Sequence, residues 1–157
     1  MTKIALIVAG GKLVLRLATN LMETQYEVFH VEISPEGQER FTQETGLSCV
    51  ARDQAINAAD AVILAVPDRL IGKVLAEFVT ELKPGTAIIM LDAAAPHAGT
   101  LPKRSDITYF VAHPCHPPLF NDETDPNAQK DYFGGIAAKQ HIICCLLYTS
   151  DAADDTP

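Results

Sequence analysis

The sequence predicts an α/β fold: a Rossmann-type, doubly wound and mostly parallel sheet forming a single domain. Three observations carry this. Short apolar runs alternate along the chain with segments of helical periodicity. The first run, Ile4 to Ala9, closes on Gly10-Gly11 and passes at once into a helical pattern. Glu32, Val66-Pro67-Asp68, Asp92 and the run His113 to Pro118 fall where apolar runs end, at the edge where open α/β sheets bind ligands.

Each element follows from its residues. Ile4 to Ala9 is short, apolar and closed by glycine, the pattern of a buried strand. Over Lys12 to Met22, Leu13, Leu17 and Leu21 recur at a helical interval beside Val14, Ala18 and Met22, giving one apolar face. Tyr26 to Val31 predicts a second strand. Ser34-Pro35-Glu36 predicts a helix start: a capping serine, proline in the first turn, then an acid near the positive helix end. That helix should stop near Gly46. Leu47 to Val50 predicts a short third strand, and Asp53 the cap of a small helix toward Ala58.

Ala61 to Val66 predicts a fourth strand, stopped by Pro67, and Asp68 the cap of a long amphipathic helix. One row of that helix is Leu70, Val74, Phe78 and Leu82; the adjacent row is Ile71, Leu75 and Val79. Pro84-Gly85 turns the chain into a fifth strand, Ala87 to Leu91. Ile107 to Ala112 predicts a sixth, followed by a proline-stiffened loop carrying His113, Cys115 and His116. A polar loop from Asn121 to about Lys130 and a last strand from Gly135 to Cys144 complete the pattern.

Composition narrows the class. The chain has 157 residues, 48% hydrophobic, enough for one domain with a real core. It holds no apolar run of about 20 residues, so no membrane span is expected. Its net charge of −8 argues against a nucleic-acid partner. Cys49, Cys115, Cys144 and Cys145 show no disulfide spacing and read as reduced thiols of a cytoplasmic protein. The segment Cys145 to Asp155 resembles the in-frame translation of a transposon-based sequencing adapter. Residues 1–144 are therefore expected to be the nucleotide-binding domain and 145–157 a non-native tail. Without Asp151, Asp154 and Asp155 the charge would be −5.

The strand ends select the candidate site. Ala9, Gly10, Gly11, Lys12 and Leu13 would bring backbone N–H groups to a pyrophosphate, since glycine lets the chain approach closely and the helix start attracts anions; a plain tight turn fits the same residues. Only Gly10 matches a longer G-x-G-x-x-x-G fingerprint, because Val8 and Val14 stand where glycines would. Glu32, about 20 residues on, is placed to bind a ribose 2′-hydroxyl and to repel a 2′-phosphate, so NAD is expected over NADP; a solvated strand-end acid is the plainer alternative. The carbonyls around Val66 and Pro67 would face the cofactor ring. His113 and His116 are candidates for binding substrate or for general acid–base work. His-x-Cys-His is no standard metal-ligand spacing, so no metal is expected. A nucleotide-sensing module without chemistry, or a fragment unable to bind because of the two valines, would share these features.

Lys3 to Ile7, Ala9 to Lys12, Val31 to Gly37, Ala61 to Asp68 and Ala112 to Phe120 together resemble the N-terminal domain of the phosphogluconate dehydrogenase-like oxidoreductases, a group that includes D-apionate oxidoisomerase. The resemblance covers nearly all of residues 3–144, and His113-Pro114-Cys115-His116-Pro117-Pro118 is its most specific part. Members of the group read Gly-Ala-Gly-Gly-Lys-Met-Gly where this chain has Val8 to Val14. The resemblance implies NAD-linked oxidation of a small sugar acid, with or without rearrangement of its carbon skeleton. It also implies a helical C-terminal domain that completes the substrate pocket and forms a homodimer.

Overall fold

The structure, a computed structural model, describes residues 1–8, 12–115, 124–131, 137 and 141–148. In chain order the elements are β1 (Lys3–Val8), α1 (Lys12–Met22), β2 (Glu27–Val31), α2 (Pro35–Thr45), α3 (Arg52–Ala58), β3 (Ala61–Ala65), α4 (Ile71–Ala76), β4 (Ala87–Met90), α5 (Ala94–His97), β5 (Thr108–Cys115), α6 (Pro126–Lys130) and β6 (His141–Tyr148). The sheet runs β2-β1-β3-β4-β5-β6, parallel up to β5 and antiparallel at β6. The chain leaves β1 toward β2 on one side and returns to β3 on the other. The gap above β1 and β3 is thus the switch point where such sheets bind ligands.

The two-residue period of the strands divides the core into two layers. Ala5 and Ile7, with Val62, Leu64, Ile88, Met90, Tyr109 and Val111, pack under Ala55 and Ile56 of α3 and Ile71 and Leu75 of α4. Ile4, Leu6 and Val8, with Ile63 and Ala65, pack under Val14 and Ala18 of α1 and Phe41 of α2. Helices therefore cover both faces of the sheet, the doubly wound arrangement that near-continuous apolar strands require.

Several local expectations are corrected. Leu47 to Val50 forms no strand. It contributes one parallel bridge, His30 to Cys49, and the Val50 N–H donates to the His30 carbonyl at 2.8 Å. Gly46, left-handed at φ 73°, ends α2, and α3 begins at Arg52, leaving too little chain to run beside β2. Asp53 does not cap α3. The cap position is Ala51, and Asp53 pairs with the Arg52 guanidinium at 3.3 Å. Asp68 likewise caps nothing: it lies inside a 3₁₀ turn, Asp68–Leu70.

The long helix expected after Asp68 is broken into that turn, α4 and a second 3₁₀ turn, Val79–Glu81. Phe78 departs from helical geometry at φ −134°, and the Arg104 guanidinium takes the Val79 and Leu82 carbonyls. The polar loop contains α6, capped by Asp125 through the Asn127 N–H at 2.9 Å. The last strand is shifted to His141–Tyr148, so it runs across residue 144. β5 extends to Cys115, which places His113 in a strand rather than in a loop.

Candidate nucleotide-binding edge

The carboxyl ends of β1, β2, β3, β4 and β5 lie along one edge of the sheet. α1 starts from that edge with no acid in its first turn, so nothing on the helix offsets its positive end. Leu13 is half-buried there. Ala9, Gly10, Gly11 and His116 lie outside the described residues, as does the Lys12 side chain.

Glu32 follows the last residue of β2 and is buried, 7% exposed. Burying a carboxylate costs less when it accepts hydrogen bonds. The Ser34 N–H donates to Oε1 at 2.9 Å, and the Gln38 side-chain amide donates to the Glu32 backbone carbonyl at 2.6 Å, tying α2 to the end of β2. Ser34 in turn caps α2 through the Gly37 N–H at 2.9 Å. A Cβ on Gly37 would stand 2.7 Å from Glu32 Cδ and 2.7 Å from Ser34 Oγ, so only glycine lets helix and carboxylate sit this close. The Cys49 thiol, pushed up by burial and then by the Glu32 charge, is held as the neutral group beside it.

A small cleft opens on this carboxylate. Its walls are Val8, Val14, Leu15, Glu32, Gly37, Arg40 and Phe41. Val8 and Val14 are both buried, at 3% and 4% exposed, and they fill the seam between β1 and α1. Arg40 is a wall residue that no spacing rule singled out; its position on α2 one turn beyond Gly37 places it there. Arg40 and Glu32 thus wall the same cleft.

At the end of β3, Val66 is half-buried against the core and Pro67 is exposed. The Pro67 carbonyl accepts the Leu70 N–H at 2.7 Å, which uses one of the lone pairs expected to face a ring. Farther along the edge, His113 Nδ1 lies 3.0 Å from the Leu91 carbonyl and 3.4 Å from Asp92 Oδ2. The His113 ring is 41% exposed. Among the described residues no group of three His, Cys, Asp or Glu side chains is placed to hold a metal ion, and no helix is long and apolar enough to cross a membrane.

Comparison with known proteins agrees with this geometry. Residues 3–96 match the family described as NADP oxidoreductase coenzyme F420-dependent, and residues 121–156 match the phosphogluconate dehydrogenase (decarboxylating) C-terminal family. A D-apionate oxidoisomerase of Rhizobium rhizogenes is 58% identical over 98% of this chain and 56% of its own length. A crystal structure described as a semialdehyde dehydrogenase NAD-binding protein of Cupriavidus necator, in complex with calcium and NAD, is 56% identical with a TM-score of 0.83, covering 98% of this chain and 55% of that one.

A ketol-acid reductoisomerase from an uncultured archaeon shares the fold alone. It is 16% identical with a TM-score of 0.67, over 96% of this chain and 44% of its own. The chain spans only a little over half the length of its nearer relatives, 56% of the Rhizobium protein. With the mostly parallel sheet, these matches establish that the chain belongs to the NADP oxidoreductase coenzyme F420-dependent family, within the phosphogluconate dehydrogenase-like group that includes the D-apionate oxidoisomerases.

Proposed function

We propose that this chain is the NAD-binding portion of a cytoplasmic dehydrogenase or oxidoisomerase acting on a sugar acid. The observation that carries the reading is the buried Glu32 carboxylate at the mouth of the cleft beside the start of α1. Among the described residues no hydrogen bond takes its Oε2, which suits a ribose diol, whereas a 2′-phosphate would meet like charge in a poorly hydrated place. The relative described as an NAD complex supports the same choice of cofactor. NAD, when bound, accepts the hydride from the substrate carbon that bears the hydroxyl.

The chain's own residues divide the remaining work. Ala9, Gly10, Gly11, Lys12 and Leu13 hold the pyrophosphate through backbone N–H groups. Val66 and Pro67 line the nicotinamide side. His113 and His116 contact the substrate and move its hydroxyl proton. A segment such as the C-terminal part of the relatives completes the substrate pocket and the dimer, so this chain alone does not turn over substrate.

Titration of the chain with NADH, followed by fluorescence, tests the assignment. Glu32→Ala removes a charged hydrogen-bond acceptor and should weaken binding by roughly 10-fold or more, while narrowing the preference over NADPH. Equal NADH affinity in both proteins would remove Glu32 from the site. A second reading is favoured by one observation: Val8 and Val14 both wall the cleft. In it, the two side chains occupy space the cofactor needs, and the fold persists without binding.

A further inference from the structure

We propose that Asp92 and the Leu91 carbonyl are positioning groups that present His113 Nε2, with its lone pair, as the proton acceptor of the reaction; this rests on the function proposed above. Register brings the three together. Met90 of β4 pairs with Val111 of β5, so two residues farther on Asp92 stands level with His113. The imidazole Nδ1 then has the Leu91 carbonyl oxygen at 3.0 Å and Asp92 Oδ2 at 3.4 Å. A carbonyl can only accept, and an ionised carboxylate can only accept. The hydrogen of the neutral ring therefore sits on Nδ1, and Nε2 carries the lone pair.

Asp92 is itself held. Its Oδ1 accepts the Ala94 N–H at 2.6 Å, where α5 begins, so the carboxylate is fixed to the backbone at one oxygen and faces the ring with the other. A carboxylate behind a histidine orients the ring and stabilises the imidazolium that forms once a proton is taken. In the oxidation, the substrate C–H bond breaks and its electron pair leaves as hydride to NAD. The hydroxyl O–H bond breaks and its proton goes to Nε2, and the C–O bond becomes a carbonyl. Atoms and charge balance, with Asp92 gaining no proton.

The test reads the ring directly, without turnover. Nitrogen NMR of the ¹⁵N-histidine-labelled chain, at a pH where the ring is neutral, should show His113 protonated on Nδ1. Asp92→Asn offers an amide that can turn its NH₂ toward Nδ1, and it should raise the Nε2–H form to a readily detected share while backbone spectra show the fold intact. An Nε2–H tautomer in the unaltered chain, or a tautomer untouched by Asp92→Asn, would overturn the positioning role. In a longer protein that carries this domain and turns over, Asp92→Asn and His113→Gln should each cost on the order of 10²-fold in kcat with NADH affinity unchanged. Unchanged turnover in His113→Gln would instead overturn the assignment of catalysis to this histidine, whatever its tautomer, so the two failures are told apart.

Discussion

His30 shows at the residue scale how one buried polar group reports on the fold. It sits on β2, 7% exposed, with its ring tilted over Phe41 at 5.1 Å, and Nε2 has no hydrogen-bond partner among the described residues. Burial pushes its pKa below the ordinary 6.5, because the charged ring cannot be solvated there. Protons therefore bind the unfolded chain more tightly than the folded one. The folded state is fully favoured above the unfolded pKa and loses stability as pH falls below it toward the folded value. Urea unfolding should show stability dropping between about pH 7.5 and about pH 5.5, and His30→Leu should flatten that slope. An identical slope in the variant would mean that another group carries it. Asp60 and Asp106 act lower on the scale. Their pKa values are held down first by the Lys3 N–H and by the Arg104 guanidinium respectively, so their contribution fades only in stronger acid.

The β1–α1 pair poses the sharpest question at the scale of elements. Glycines at the positions of Val8 and Val14 would let strand and helix approach closely, as phosphate-binding turns of this kind do. Here two buried methyl pairs occupy the seam and knit β1 to α1. Replacing both valines by glycine deletes packed apolar volume and adds backbone freedom, at a cost of about 2–4 kcal/mol for each position. The expected outcome for Val8→Gly with Val14→Gly is a much lower Tm with NADH affinity within a few-fold of the parent. A gain of 10-fold or more in affinity despite the lost stability would establish the second reading, in which the valines exclude the cofactor.

At the scale of the whole molecule, the edge strand β6 is less covered than the strands inside the sheet. α1 and α2 cover Ile4, Leu6 and Val8, while on β6 Ile142 and Leu146 on one face and Ile143 on the other remain 61%, 56% and 62% exposed. We propose that residues 145–157 derive from a sequencing adapter and that the natural chain diverges after Cys144. β6 continues across that point to Tyr148, and the family match at 121–156 also spans it. Reading the genomic locus with long, ligation-prepared libraries decides this. An open reading frame that departs from the adapter-like residues after Cys144 is expected, and one that retains them retires the proposal.

The fold was legible where local pattern and tertiary environment agree. The paired runs of β1 and β3 read as buried strands because both faces are covered. Ser34, Pro35 and Gly46 marked both ends of α2 because caps and left-handed turns are local chemistry. Legibility failed where distant groups compete for the backbone. Arg104 takes carbonyls near residues 79 and 82, ending a helix whose apolar rows looked continuous. Asp53 was drawn to Arg52 rather than to a cap. Glu32 was read from its spacing after the glycines and Asp92 from its place at a strand end, but Arg40 has no local signature, and nothing local sets Asp92 against His113.

By itself the sequence determined the doubly wound class, the order of its elements and the chain edge that carries the polar residues, because hydrophobic period and turn chemistry act over a few neighbouring residues. Only the tertiary structure decided which of those polar groups meet. Parallel register sets Asp92 of one strand end against His113 of the next, and close packing of Gly37 lets α2 rest on the Glu32 carboxylate. Such meetings depend on contacts across strands and helices, and no spacing along the chain encodes them.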